Sequence, residues 1–416
     1  MLAVYRILLS LLLLISPIIL IYRILKGKED PKRFHEKFGF FPGKKTKKKL
    51  IWFHGSSVGE ILSIIPIIEK IESEKKNIQI LITSNTVSSS KVLKKFKFRN
   101  VHHQFLPIDH SFIIDKFLNY WKPLMVIFIE SEIWPNLVNK INERKIPLVL
   151  LNARITEKTY NNWKFFSGFA NDIFRKFDLC LCQNNETKYF LNKLGAKNIK
   201  KYGNLKFVES KFRKSQSLEG KTINFLKRKK IIFGGFSTHN TEEEFCVNIH
   251  MGLKKNNPGI LTIIVPRHIN RINEIIDEFK KHDIEFHRHS IKSKIKENTE
   301  IYLVDTFGES EFFMKYCKIV FLGGSLIKHG GQNPIEAARN GCFIIHGSNI
   351  NNFKEVYDLL KKCKISSKIN SQSETIKIIK RIRKSNRTSN SVKLRLKIIG
   401  NKILKKNFIE INRLLK

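Results

Sequence analysis

The chain has 416 residues, 42% of them hydrophobic, and carries 77 Lys and Arg against 36 Asp and Glu, a formal charge of +41. That length is too great for one ordinary core and fits two domains of about 150 to 200 residues each, and the apolar share is enough to bury both, which excludes a disordered chain. The charge points to an anionic partner, either a membrane with acidic lipid or a nucleic acid. It equally fits a composition rich in Lys, Ile and Asn throughout, since it is spread along the chain and not gathered in one basic arm.

Residues 7–22 are uncharged and strongly apolar, and with residues 2–4, 24 and 25 they give about 20 apolar positions, enough to span a bilayer if Arg6 snorkels. Pro17 is expected to kink the segment. Tyr22, Arg23 and Ile24 follow it in place of a small-x-small cleavage site, so an uncleaved anchor is expected and not a signal peptide. Arg23, Lys26, Lys28, Lys32, Arg33 and Lys37 lie after it and Arg6 before it, which leaves the bulk of the chain in the cytosol. An interfacial hairpin or slanted helix is the alternative to a span.

From residue 50 onward, apolar runs of four to six residues alternate with longer amphipathic segments. Strands are expected at 50–53, 78–83, 124–129, 148–151 and 179–182. A polar, basic stretch at 210–230 interrupts the pattern, which restarts at 231–233, 261–265, 301–304, 319–322 and 343–345. The alternation predicts an α/β fold of two similar, parallel, doubly wound halves, with a hinge near 203–220. Residues 392–416 read as one or two basic amphipathic helices that pack back on the first half. Cys180, Cys182, Cys246, Cys317, Cys342 and Cys363 lack metal-ligand spacing and sit mostly in apolar runs, as reduced core thiols of a cytosolic domain do.

Ligands of open α/β sheets bind at the carboxyl ends of strands, so the polar residues that follow each apolar run are the candidate site. After the first run, Ser57, Val58, Gly59 and Glu60 open a helix, and Glu60 is either a general base or a first-turn glutamate favoured by the helix dipole, which would lower its pKa unless burial offsets it. Glu130 and Glu132 follow the strongest strand of the first half and form either a polar cleft or a solvated loop before a helix starting at Pro135; no clustered His or Asp beside them supports a metal. Arg154 and Lys206 are either cations placed to neutralise a phosphate or carboxylate or, in so basic a chain, ordinary surface charges. In the second half, Ser237, Thr238 and His239, then Arg267 and His268, then Phe307, Gly308 and Glu309 each follow a strand. Residues 323–336 read as a glycine loop whose backbone N–H groups approach an anion, with Asn333 as N-cap, Pro334 in the first turn and Glu336 closing a capping box. The same letters also make a simple tight turn before a capped helix.

In combination these motifs resemble one family, the 3-deoxy-D-manno-octulosonic acid (Kdo) transferases of lipopolysaccharide synthesis. The resemblance runs from the apolar N-terminus to about residue 350. It rests on His54 with Ser57, Val58, Gly59 and Glu60, on residues 130–136, 152–154 and 203–206, on Ser237, Thr238 and His239, on Pro266, Arg267 and His268, and on the glycine loop. It implies a GT-B architecture of two Rossmann-like domains facing a cleft, divided as an anchor at 1–25, an acceptor-side domain at 35–209, a CMP-sugar domain at 210–390 and C-terminal helices at 391–416. It implies CMP-Kdo as donor, a lipid A precursor as acceptor, an anionic inner-membrane surface on the cytoplasmic side, and no cofactor, metal or nucleic acid. Glu60 takes the role of catalytic base, with Glu130 and Lys206 stabilising the transition state. Arg267, His268, Phe307, Gly308, Glu309, Asn333, Pro334, Ile335 and Glu336 take the role of donor contacts. The chain departs from the family's usual residues at Gly55 and Ser56, where Ala is usual, and at Phe236 (Gly), Phe307 (Met) and Gln332 (His). A nucleotide-sugar epimerase of the same architecture, or a non-catalytic basic protein binding membrane or nucleic acid, are the alternatives.

Overall fold

The computed structural model describes residues 1–41, 46–210, 218–229, 231–384 and 389–415. The chain divides into two compact units, Met1–Lys214 with Ile399–Lys416, and Ser215–Ile398. Residues 211–217, within the expected hinge, lie outside the described residues.

The first unit holds a seven-stranded parallel sheet of β1 (Lys49–His54), β2 (Ile78–Ser84), β3 (Val101–Phe105), β4 (Met125–Ile129), β5 (Leu148–Ala153), β6 (Leu179–Cys182) and β7 (Ile199–Lys201), in the order β3-β2-β1-β4-β5-β6-β7. Helices cover both faces, so β2, β4, β5 and β6 are buried at every position and read as continuous apolar runs without alternation. The order reverses beside β1, where β1 pairs with both β2 and β4. A gap therefore opens at the carboxyl ends of β1 and β4, the topological switch point of a doubly wound sheet.

The second unit repeats the plan with β8 (Ile231–Thr238), β9 (Ile260–Pro266), β10 (Phe286–Arg288), β11 (Ile301–Leu303), β12 (Ile319–Leu322), β13 (Phe343–His346) and β14 (Ser366–Lys368), in the order β10-β11-β9-β8-β12-β13-β14. Its switch point lies between β8 and β12. The fold is thus α/β with two Rossmann-like units, the domain pair of the GT-B class.

Four strands were not expected from the sequence: β3, β7, β10 and β14. They are the four sheet edges. An edge strand has a neighbour on one side only and carries polar side chains, as in the segments Val-His-His-Gln-Phe, Ile-Lys-Lys, Phe-His-Arg and Ser-Ser-Lys, so the apolar-run signal is missing there.

One helix, Ser389–Leu414, closes the described chain. Its later part belongs to the first unit: Lys200 Nζ and the Tyr202 hydroxyl bond the Glu410 carboxylate at 2.7 and 2.9 Å. Gly400 presses against the backbone there, and a methyl group at that position would fall 2.6 Å from the Phe207 carbonyl oxygen. Five of the six cysteines are buried and all six are free thiols. At the other end, Leu2–Leu25 is one continuous helix with Pro17 inside it. Arg6 does not reach out alone, since its Nε donates to Asn136 Oδ1 at 3.0 Å.

Gly400→Ala is expected to destabilise the first unit by about 1–3 kcal/mol, the usual cost of overpacking a tight contact. Thermal unfolding followed by circular dichroism checks this, and an unchanged midpoint would mean that the helix does not hold that contact.

Candidate active site

The first unit's switch point is built by three strand ends. After β1, Ser57 caps the helix Val58–Glu74 by accepting from the Glu60 backbone N–H at 3.2 Å. Glu60 answers in kind: one carboxylate oxygen accepts from the Ser56 N–H at 2.7 Å and the other from the Ser57 hydroxyl at 2.8 Å. This reciprocal box fixes the carboxylate at the helix start. Gly55 gives it room, because a methyl at that position would lie 3.2 Å from Glu60 Cβ. The net shift of the Glu60 carboxyl is upward. Burial pushes it above its ordinary value, the Ser57 hydroxyl bond opposes that, and the charges of Glu132 and Glu130 push it further up.

After β4, Glu130 stands in the left-handed region at φ 56° and is only 8% exposed, so it is not part of a solvated loop. Its backbone is pinned on both sides, with its N–H donating to the Leu151 carbonyl and its carbonyl accepting from the Arg154 N–H. Glu132 joins the same corner. Its carboxylate lies 3.1 Å from Nε2 of the fully buried His54 and accepts from the Trp134 indole at 3.0 Å. Burial alone would raise the Glu132 pKa, but the His54, Ser56 and Trp134 contacts hold it below the ordinary carboxylate value. The helix beyond does begin at Pro135.

Near the end of β5, Asn152 also takes positive φ and accepts the Leu205 N–H on its side chain at 2.9 Å. Gln183 donates to the Asn152 carbonyl at 2.8 Å and accepts from Asn204 at 2.9 Å, while Asn204 accepts the Lys206 N–H at 2.9 Å. This polar chain aims the turn after β7 so that Lys206 Nζ meets Glu130 Oε1 at 2.6 Å. The structure therefore brings Glu130 and Lys206 into one ion pair and sets Glu60 within electrostatic reach of Glu130 and Glu132. His54, Glu132 and Gln183 complete the corner. His54 and Glu132 were visible in the motifs but not as a pair, and nothing in the sequence marks Gln183.

In the second unit, the loops after β11, β9, β8 and β12 follow four strands adjacent in the sheet. Together with the last two residues of β8, Ser237 and Thr238, they carry Phe307 to Glu309, Arg267 and His268, His239, and the glycine loop. Arg267 and His268 are exposed at the end of β9, with the Arg267 N–H bonded to the Thr238 carbonyl at 2.9 Å. Phe307 is 73% exposed and Gly308 takes φ 85°, the left-handed region that suits glycine. Glu309 accepts from Thr306 and lies 3.3 Å from His289 Nε2. The His239 ring lies tilted to that of His329 and edge-on to that of His268, with centroids 4.4 and 5.6 Å away. Burial first, then the charges of His329, His268 and Arg267, push its pKa down to about 4, which leaves it neutral at neutral pH.

The glycine loop differs from the sequence expectation in two ways. Its N–H groups do not wait for a ligand: Gly324, Ser325 and Leu326 donate to the carboxylate of Glu242 at 2.6, 3.1 and 3.0 Å, and His239 N–H does so at 3.0 Å. Glu242 is fully buried, so the loop's anion is internal. Secondly, the helix is only five residues, Ile335–Arg339, with Pro334 at its cap and the Asn333 side chain accepting the Ile335 N–H at 3.1 Å. The turn therefore starts one residue later than the expected cap. The glycines serve close packing: a methyl at Gly323 would fall 2.3 Å from the Ser237 carbonyl oxygen. Pro334 and Ile335 are buried, while Asn333 and Glu336 are half-buried.

The sequence profile described as 3-deoxy-D-manno-octulosonic-acid transferase (kdotransferase) matches residues 32–209. Over nearly the whole length, the chain is similar to the 3-deoxy-D-manno-octulosonic acid transferase of Rickettsia bellii, at 34% identity over 91% of this chain and 90% of that one. It is similar to the enzyme of the same description from Haemophilus influenzae at 30% identity, over 88% of this chain and 87% of that one. Among solved structures, a putative UDP-N-acetylglucosamine 2-epimerase from Listeria monocytogenes superposes with a TM-score of 0.58 at 12% identity, covering 86% of this chain and 95% of that one, a likeness of fold alone.

Glu242→Gln replaces two acceptor oxygens by one and places an amide donor against backbone donors. It is expected to cost about 1–3 kcal/mol, read as a lower urea midpoint at unchanged slope. A midpoint equal to wild type would mean that the carboxylate does not organise the loop.

Proposed function

The chain belongs to the 3-deoxy-D-manno-octulosonic acid transferase family and is a glycosyltransferase, and on that premise we propose that it moves Kdo from CMP-Kdo to a lipid A precursor, lipid IVA, with inversion. One observation carries the reading most directly: Glu60 is a half-buried carboxylate, held by the Ser56 N–H and Ser57 hydroxyl, whose pKa is raised by burial and by two neighbouring carboxylates. A carboxylate whose pKa is raised is a stronger base than a free one.

In the proposed displacement a hydroxyl of the acceptor sugar attacks the anomeric carbon of Kdo. Its proton passes to Glu60, the bond from that carbon to the phosphate oxygen breaks, and CMP leaves with the electron pair. Lys206, oriented by Glu130, offsets negative charge growing at the reacting centre. Arg267 and His268 hold the phosphate, Phe307, Gly308 and Glu309 contact the nucleotide, and residues 333–336 complete the donor site. Exposure of Phe307 suits a contact through backbone, in keeping with the departure from Met there. The apolar helix Leu2–Leu25 and the net positive charge would hold the protein at the inner membrane, with both units on the cytoplasmic side. The epimerase reading shares the fold but lacks the support of the full-length sequence relatives.

Incubation with CMP-Kdo and lipid IVA, followed by mass spectrometry, tests the reaction and counts the Kdo residues added. Glu60→Ala is expected to lower turnover by about 100-fold or more while CMP-Kdo binding is kept, and near-normal turnover would sink the base assignment. The base works only when deprotonated, so activity falls as pH drops through the raised Glu60 pKa. Glu132→Gln removes one of the charges that raise it, and the acidic limb of the pH–rate profile should move to lower pH. A limb that stays in place would dissociate that limb from Glu60.

A further inference from the structure

The helix Leu2–Leu25 is long and apolar enough to cross a bilayer, yet its contacts are those of a helix lying along a surface. Its covered residues are Leu2, Tyr5, Arg6, Leu9, Leu13, Ser16, Leu20, Arg23 and Ile24, spaced three or four apart except for the adjacent pairs Tyr5–Arg6 and Arg23–Ile24, so one face is covered from end to end. Ser16 and Leu20, in the second half of the helix, are buried. The opposite face is bare and apolar, with Leu8, Leu11, Leu14, Ile15, Ile18 and Tyr22 all more than half exposed.

Both ends are tied to the same compact unit. Near the start, the Tyr5 hydroxyl donates to Asp109 at 2.7 Å, Arg6 donates to Asn136 at 3.0 Å, and Ser10 lies 3.3 Å from the His110 ring. Asp109 is buried and uses its carboxylate to accept the Asn136 and Leu137 N–H groups at the start of the helix Pro135–Glu143, so Tyr5 completes a buried polar cluster. Near the end, Arg23 pairs with the buried Glu29 at 2.8 Å, Glu29 with Lys37 at 2.7 Å, and the Lys37 carbonyl accepts the Ile108 N–H at 2.9 Å. Tyr5 and Arg23 are about 27 Å apart along a helix of this rise. A helix that crosses places its first and last turns on opposite sides of a hydrocarbon layer about 30 Å thick. Here both turns attach to one polar domain, and crossing would strip Asp109 of Tyr5 and Asn136 of Arg6.

We propose that this helix lies in the plane of the membrane interface as a monotopic anchor, with its bare face in the acyl boundary of one anionic leaflet and Met1 on the same side as both units. The surface beside it suits that occupant. Phe112, two residues from His110, is 73% exposed, and Phe40 is 59% exposed with Lys116 Nζ 4.9 Å from its ring centroid. Lys26, Lys28 and Lys32 are exposed where the chain leaves the helix, at the level expected for acidic headgroups. The inference rests on the membrane reading given above and adds its orientation.

Full-length protein with an N-terminal epitope tag, expressed in a Gram-negative cell, separates the two. The expected result is a membrane-pelleted protein whose tag survives protease on intact spheroplasts and is lost after lysis. Loss of the tag from intact spheroplasts overturns the in-plane orientation, whereas a wholly soluble protein overturns the membrane reading itself. With purified protein and phosphatidylglycerol-containing vesicles, the double variant Ile15→Asp, Ile18→Asp should bind roughly tenfold or more weakly at unchanged melting temperature. Equal vesicle binding, or self-association through this face in place of vesicle binding, overturns the proposal.

Discussion

The constraint on which this molecule depends is the reversal of strand order in a parallel sheet. Successive strands wind outward in one direction from β1 and then in the other, so the helices after β1 and β4 leave on opposite faces. The carboxyl ends of those two strands are thus not covered by a helix, and whatever the chain places there is held rigidly at an open edge. In the first unit that residue set is His54 to Glu60 on one side and Glu130 to Trp134 on the other. In the second it is Ser237 to His239 and the glycine loop.

The chain has filled the first of these edges with three carboxylates, and their arrangement divides the work between them. Glu130 is matched by Lys206, Glu132 is held by His54 and Trp134, and Glu60 is left with hydrogen bonds from Ser56 and Ser57 but no cation within bonding distance among the described contacts. Burial first, and then the charges of the two neighbouring carboxylates, raise the proton affinity of the last. The backbone supports this directly: Glu130 and Asn152 both stand at positive φ, a conformation that bulky residues rarely adopt, and neighbouring strands pin them there.

The second edge uses the opposite device. A buried carboxylate, Glu242, collects four backbone N–H groups from the loops after β8 and β12 and locks the two together. An internal anion thereby sets the shape of the loop that the sequence suggested would receive an external one. Arg267, His268 and Phe307 stay exposed at the neighbouring strand ends, and burial first, then its imidazole and arginine neighbours, push the His239 pKa down to about 4.

The sequence by itself determined the α/β class, the ten central strands, the position of each polar strand end and the family, because buried parallel strands demand continuous apolar runs and because seven motifs occur in order. It left out the edge strands, whose half-covered positions tolerate His, Lys and Ser. Only the tertiary structure decided that Lys206 answers Glu130 across 76 residues, that Glu242 reaches the loop 82 residues later, and that an apolar helix long enough to cross a membrane is fastened along one face to its own domain. Periodicity reports which residues leave water. It does not report which buried polar atoms find each other, since that depends on distances that arise only when strands remote in the chain become neighbours.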